Sequence, residues 1–192
     1  MFHISGQKMS FSKVAYLLFT LSIILICYAP NASSDKDMIN DVCNNANDPD
    51  GFGNGITIHD CFNLMSMDPR FSSASDYHVL SKFIMQFAIQ KGTENMNKFH
   101  EFQKDFPDSK AIVQCGTTFY TSTISFFKGA LRDWDGNTSN ALHEISQSRD
   151  GSEQCMIAIK NEKIVNGTII NMNKMMQLLT DVTSSAMDLS TR

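Results

Sequence analysis

The sequence predicts an all-α fold, an up-and-down four-helix bundle with an N-terminal helical hairpin extension and two disulfides. Apolar residues recur at spacings of three and four along most of the chain, which is the period of an amphipathic helix. The links between these stretches are short, as in an up-and-down bundle. No tract of alternating apolar residues is long enough to indicate a sheet, and no internal repeat is present.

The N-terminus has the pattern of a signal peptide over residues 1–34. Lys8 and Lys13 precede an uncharged apolar run that ends near Cys27. This run is shorter than the about 20 residues that a membrane-spanning helix needs, so a retained anchor is the less favoured interpretation. Ala32 and Ser34 are small residues suited to cleavage after position 34. We therefore expect one mature domain over residues 35–192.

The acidic net charge of this mature domain disfavours negatively charged binding partners. Its 14 basic and 20 acidic residues make a net charge of −6, and they form no basic stripe or arginine cluster. Nucleic acid and anionic membrane surfaces are therefore poor partners.

The predicted elements follow in order. An extension over about 35–68 surrounds a glycine-rich loop at 48–55, which lacks the residues that a phosphate loop or a calcium-binding EF-hand requires. The bundle spans about 75–189. Its first helix begins at Ser75 or Asp76 and runs toward Pro107. The others are expected over residues 109–134, over two shorter stretches at 139–147 and 152–164, and over 170–186.

After removal of the signal peptide, an even number of cysteines remains: Cys43, Cys61, Cys115 and Cys155. An exported chain with four cysteines indicates two disulfides, for which the sequence allows three pairings. The cysteines and histidines do not have the spacing of zinc ligands, so we expect no metal and no cofactor.

Catalysis is also not indicated. The histidines of the mature chain, His59, His78, His100 and His143, accompany no nucleophile motif. His143-Glu144 begins like a zinc-protease motif, but Gln147 occupies the position of the second histidine. We therefore assign no catalytic residue, although a small hydrolase remains an alternative. Methionines of the last helix (Met172, Met175, Met176 and Met187) are interpreted as core rather than as a binding face.

Two sequons are candidate N-glycosylation sites in the mature chain. They begin at Asn137 and Asn166, and both are consistent with export.

Several ordered segments resemble one plant protein family. Cys61 is followed by Leu64 and by Asp68-Pro69, and Cys115 is followed five residues later by Tyr120. A helix start at residues 75–80, an alanine-containing stretch at 87–90 and the segment 141–155 complete the pattern. Over about 35–189 the chain resembles the pectin methylesterase and invertase inhibitor family.

This resemblance implies a four-helix bundle with an N-terminal hairpin and disulfides Cys43–Cys61 and Cys115–Cys155. It also implies inhibition by a stoichiometric complex in the apoplast. The stretch between Cys43 and Cys61 is longer than is usual in the family and is similar to that of invertase inhibitors related to a plane-tree pollen allergen.

Two features bear on the target. Invertase inhibitors of the family carry a Pro-Lys-Phe motif before the last cysteine, and residues 135–149 contain no such triplet but do contain the Asn137 sequon. The acidic mature chain suits a basic esterase. Pectin methylesterase is therefore the favoured target and cell-wall or vacuolar invertase the alternative. A secreted helical receptor ligand is an alternative of another class.

Overall fold

The computed structural model describes residues 32–47 and 57–192, and these contain helices and no strands. The all-α prediction is therefore confirmed. The glycine-rich loop and residues 1–31 of the predicted signal peptide lie outside the described residues. The elements are α1 (Ala32–Ala46), α2 (Ile58–Met65), α3 (Pro69–Ser72), α4 (Tyr77–Phe102), α5 (Lys110–Gln114), a π-helical turn (Cys115–Phe119), α6 (Tyr120–Asp133), α7 (Thr138–Asn161) and α8 (Gly167–Thr191).

Helices α4, α6, α7 and α8 form the bundle, with α5 and the π-helical turn leading directly into α6. Each of these helices packs against the next one along the chain, and α8 closes the bundle by packing against α4. Gly92 of α4, for example, lies beside Ile124 of α6 and Met176 of α8. The links are short, at residues 103–109, 134–137 and 162–166. This is the predicted up-and-down bundle.

Polar side chains begin each bundle helix. Asp76 accepts a hydrogen bond from the Val79 N–H at 2.8 Å, and Ser109 accepts one from the Ile112 N–H at 3.0 Å. Asp76 is thus the cap of α4 out of the two residues that the sequence allowed, and Ser109 caps α5. Such caps satisfy backbone donors that the first turn of a helix leaves without partners.

The third bundle helix differs from the prediction, since α7 is one continuous helix and not two shorter stretches. The apparent break lies at Ser148-Arg149-Asp150-Gly151, which interrupts the apolar pattern. Ser148 and Gly151 are nevertheless fully buried or nearly so. These small residues are where α7 approaches its neighbours closely, so they continue the buried face.

The second bundle helix is continuous with one irregular turn. Within it, the Tyr120 N–H donates to the Cys115 carbonyl, five residues earlier, as in a π-helix. Cys115 is also bonded to Cys155 of α7, with a Cα–Cα distance of 5.1 Å. The disulfide therefore joins the second and third bundle helices at the irregular turn.

Helices α1 and α2 form the N-terminal hairpin, which Cys43–Cys61 closes with a Cα–Cα distance of 5.5 Å. The Tyr77 hydroxyl donates to Asp41 at 2.7 Å, and the Ser185 hydroxyl donates to the Val42 carbonyl at 2.8 Å. The hairpin thus packs on the start of α4 and on the last turns of α8.

This contact explains an unusual feature of α8, which is buried on all sides over residues 179–187. Helices α4 and α7 cover one side and the hairpin covers another. Of the methionines on this helix, Met176 and Met187 are fully buried in the core, whereas Met172 and Met175 are half-buried.

Candidate target-binding surface

The histidines are spread over separate helices. His59, His100 and His143 are exposed, whereas His78 is half-buried and its Nε2 lies 2.8 Å from Asp135 Oδ1. Within residues 32–47 and 57–192, no hydroxyl or thiol hydrogen-bonds to the His78 ring. The His78–Asp135 contact is therefore a hydrogen bond on the surface and is not part of an assembled nucleophile.

Glu144, next to His143, has a packing role. Its carboxylate lies against Gly129 of α6, where a Cβ atom would come within 2.0 Å of Oε2. That oxygen is buried without a hydrogen-bond partner, and Oε1 is 3.8 Å from Arg132 Nη2. His143 is exposed and Glu144 is half-buried. In the part of the chain that the structure describes, no three metal-ligating side chains come together.

A charged corner lies where the start of α4 meets the link between α6 and α7. We call it the Trp134 corner and define it by His78, Lys82, Trp134 and Asp135. Trp134 is buried, and its ring stacks on His78 with centroids 5.1 Å apart and planes 16° from parallel. Its indole N–H donates to the His78 carbonyl at 3.3 Å. Trp134 thus anchors the link to α4.

In the exposed part of this corner, the Asp135 carboxylate contacts two nitrogen-containing side chains, His78 and Lys82. Lys82 Nζ lies 2.6 Å from Asp135 Oδ1, the oxygen that also contacts His78. The hydrogen bond from Lys82, together with that from His78, holds the pKa of Asp135 below its usual range. The Asp135 side chain is still 64% exposed. The corner therefore presents an ionised carboxylate between two donors, next to the buried Trp134, which suits polar contact with another protein.

The link beneath this corner is short. Only residues 134–137 separate α6 from α7, and the rest of the segment 135–149 belongs to α7. Asn137 caps α7 by accepting from the Asn140 N–H at 3.2 Å, and it is exposed. The segment 135–149, which contains no Pro-Lys-Phe triplet, is therefore a tight turn followed by helix.

A second surface feature is a groove of about 550 Å³ between the hairpin and the bundle. Its lining mixes apolar residues such as Leu64 and Leu178 with charged residues such as Asp60 and Lys174. The Thr57 hydroxyl is the main cause of a lowered pKa at Asp60, and Lys174 adds a smaller effect. The remaining lining residues are Asn63, Met67, Arg149, Asn171, Met175 and Gln177.

One wall of this groove contains a buried ion pair. Arg149 of α7 hydrogen-bonds to Asp181 of α8 and also to Glu153, with Nε 2.5 Å from Oε1. Asp181 is only 2% exposed, and its Oδ2 has no partner. Burial raises the pKa of Asp181 despite the opposing effect of Arg149. The pair thus fixes α7 against α8 at the groove.

The pair of Arg149 and Asp181 was not predicted, although the sequence contains an indication of it. Asp181 is the only charged residue in segment 175–187, and the other residues of this segment are apolar or uncharged. A lone carboxylate in a buried stretch needs a cation from a neighbouring helix. Which cation this would be could not be predicted from the sequence, because Arg149 is 32 positions away from Asp181.

The fold of this chain is similar to that of a protein of known structure. A crystal structure of mutant form A of a pectin methylesterase inhibitor from Arabidopsis matches with a TM-score of 0.63 and 17% sequence identity. The match covers 79% of this chain and 95% of that chain. The chain has the fold of a pectin methylesterase inhibitor. The resemblance drawn from the sequence is thereby confirmed at the level of the fold.

No protein-family model matches the sequence, and no curated protein matches it significantly. At 17% identity the structural match establishes the architecture. Among the helices of the described residues, none is both long and apolar enough to cross a membrane.

Proposed function

We propose that this chain is a secreted protein that inhibits an enzyme by forming a stoichiometric complex, with pectin methylesterase as the target. The observation that carries the proposal is the structural match, which extends over 95% of the chain of a pectin methylesterase inhibitor. In this proposal the inhibitor covers the substrate cleft of its target and contributes no catalytic residue and no cofactor.

Export to the apoplast is supported by three observations. The signal pattern occupies residues 1–34, and two sequons follow it in the mature chain. All four cysteines of the two disulfides are fully buried. Disulfides of this kind form and persist in oxidising compartments. After removal of the signal peptide, this proposal includes no membrane partner and no nucleic acid.

A binding role is favoured by how the polar groups are held. At the Trp134 corner, His78 and Lys82 both contact Asp135, and the buried Trp134 stacks on His78. Side chains held in this way lose little conformational freedom when they contact a partner. The short links between the bundle helices also differ from the long crossover connections of cytokine-like receptor ligands.

The preference for the esterase over invertase rests on charge and on one segment. The mature net charge of −6 would steer association with a basic esterase. The link at residues 134–137 is a short turn without a Pro-Lys-Phe triplet, and a glycan on Asn137 would stand at that turn. The resemblance implies that invertase inhibitors of the family insert the Pro-Lys-Phe motif into the active site of their target. The missing triplet and a glycan on Asn137 both disfavour such insertion, so invertase is the second candidate.

The test is a parallel titration of the oxidised protein, residues 35–192, against a plant pectin methylesterase and a cell-wall invertase at about pH 5 and pH 7. We expect esterase activity to fall to its minimum near one inhibitor per enzyme. Loss of invertase activity alone would transfer the proposal to the second candidate. If both enzymes stay active while circular dichroism shows an intact helical fold, the proposed inhibition is wrong.

A further inference from the structure

An apolar patch lies at the link between α7 and α8. We call it the α7–α8 patch and define it by Met156, Ile157, Ile164, Val165 and Ile170. Together with Ile159, Lys160 and Lys163, these residues line a hollow of about 400 Å³. Val165 is 93% exposed and Ile157 is 51% exposed. Single exposed apolar residues are common, whereas the binding sites of proteins are typically concave and mostly apolar, as this patch is.

The backbone holds this patch in place. Helix α7 ends with the Ile164 N–H bonded to the Ile159 carbonyl at 3.1 Å and the Lys163 N–H bonded to the Lys160 carbonyl at 3.0 Å. Lys163 adopts a φ of 56°, the left-handed conformation that terminates a helix in this way. Because the link is hydrogen-bonded, the exposure of Val165 is part of the folded structure.

The next residue along the chain is Asn166, the first residue of a sequon. Its Oδ1 accepts from the N–H groups of Thr168 at 2.9 Å and Ile169 at 3.2 Å, which caps α8. Within the described residues its Nδ2, the atom to which an N-glycan is attached, makes no hydrogen bond. A Cβ at Gly167 would meet nothing within 4 Å, and Thr168 is exposed. A glycan can therefore be attached without disturbing the cap.

We infer that an N-glycan on Asn166 covers the α7–α8 patch, so that the occupant of the hollow is the chain's own carbohydrate. A glycan is bulky and solubilising, and its sugar rings and N-acetyl groups present C–H surfaces that can pack on Val165 and Ile157. The attachment point is one residue from the most exposed large apolar side chain in the described residues.

The second sequon provides an internal comparison. Asn137 lies beside the charged Trp134 corner rather than beside an apolar hollow. A glycan there would cover polar groups, and its removal should leave apolar exposure unchanged. The inference requires the export that is part of the proposed function, but it does not depend on which enzyme is the target.

The experiment uses the full chain secreted from a plant cell host and purified with its glycans. Thr168→Ala removes the sequon but leaves the Asn166 cap, whereas Thr168→Ser keeps both and is the matched control. Ser139→Ala removes the other sequon. Glycan occupancy is measured by mass spectrometry of glycopeptides, apolar exposure by fluorescence of an apolar dye, and association by sedimentation velocity.

We expect Asn166 to be occupied and Thr168→Ala to increase dye fluorescence several-fold and to self-associate with rising concentration. Thr168→Ser and Ser139→Ala should behave like the unaltered chain. Adding Val165→Ser to Thr168→Ala should restore low dye binding, which would show that the patch itself is responsible.

Three outcomes would overturn the inference. The first is an unoccupied Asn166 in the secreted chain, and occupancy of Asn137 in the same sample would then show that export itself had taken place. The second is equal dye binding by Thr168→Ala and the unaltered chain. The third is self-association of the fully glycosylated chain through the α7–α8 patch, because the occupant would then be a second copy.

Discussion

Gly151 of α7 lies directly against the backbone of Phe119, the last residue of the π-helical turn. A Cβ at position 151 would stand 2.2 Å from the Phe119 carbonyl oxygen and 2.3 Å from Thr123 Oγ1. The neighbouring bond between Cys115 and Cys155 holds the same two helices together. The second and third bundle helices therefore come close together here because position 151 is a glycine, and the disulfide holds them in this position.

Gly151→Ala should destabilise the protein, because the added methyl group meets backbone that cannot move aside. Overpacking of this kind costs about 1 to 3 kcal/mol, which urea unfolding followed by circular dichroism would measure. Gly136→Ala is the matched control, since its Cβ would meet nothing within 4 Å. Equal stability of the two variants would contradict the close approach.

Removal of the Cys115–Cys155 bond should cost more than removal of Cys43–Cys61. The bonds span 40 and 18 residues, respectively. Loop-closure entropy then favours the folded state by about 4 and about 3 kcal/mol. Paired Cys→Ala variants compared by thermal and urea unfolding would test this order. A double variant of Cys115 and Cys155 as stable as the parent would refute it.

Asp76 should stabilise α4 in a pH-dependent manner. The hydrogen bond from the Val79 N–H is the main cause of its lowered pKa. A lowered pKa in the folded state means that the stabilisation is present above the unfolded pKa of 3.8 and is lost as pH falls through the folded value. Asp76→Ala should therefore cost about 1 kcal/mol at neutral pH and less at about pH 2.5.

Asp76→Asn is the control for this prediction, because its Oδ1 can still accept the capping hydrogen bond without carrying a charge. We expect it to lose less stability than Asp76→Ala at neutral pH. A deficit in Asp76→Ala that stays constant from neutral to acid pH would show that the ionised carboxylate contributes nothing.

Arg149→Ala should be strongly destabilising at neutral pH, because it leaves Asp181 buried without its cation. Breaking a buried ion pair from one side costs about 3 to 5 kcal/mol. Burial raises the pKa of Asp181, so its neutral form is the one that folding favours. The loss should therefore shrink as pH falls and Asp181 becomes protonated.

Glu153→Gln is the control for the second ion pair of Arg149. The Glu153 side chain is 43% exposed, and exposed pairs contribute less than about 1 kcal/mol. Urea unfolding of both variants at pH 7 and pH 4 would separate the two contributions. An Arg149→Ala penalty that does not change with pH would show that Asp181 is not the group responsible.

The bundle was predictable because each helix repeats its apolar residues with the helical period over many turns. The continuity of α7 could not be predicted, because Ser148 and Gly151 interrupt its apolar pattern. Their burial depends on the neighbouring helices. Similarly, the π-helical turn has no sequence signature that distinguishes it from the surrounding helix.

The candidate surface was predictable only in part. The Asn137 sequon at this surface could be found as a motif. The stacking of His78 on Trp134 joins residues 56 positions apart, so only the folded chain reveals it. Side chains that act together across such distances depend on helix register, which the apolar pattern sets only to within a turn.

The two disulfides enclose separate stretches of chain, since Cys43–Cys61 ends well before Cys115–Cys155 begins. Neither bond has to wait for the other, and neither needs residues of α8. As the chain emerges during synthesis, the hairpin can be oxidised first and the second and third bundle helices next. Helix α8, which contains no cysteine, can then dock against the hairpin, α4 and α7.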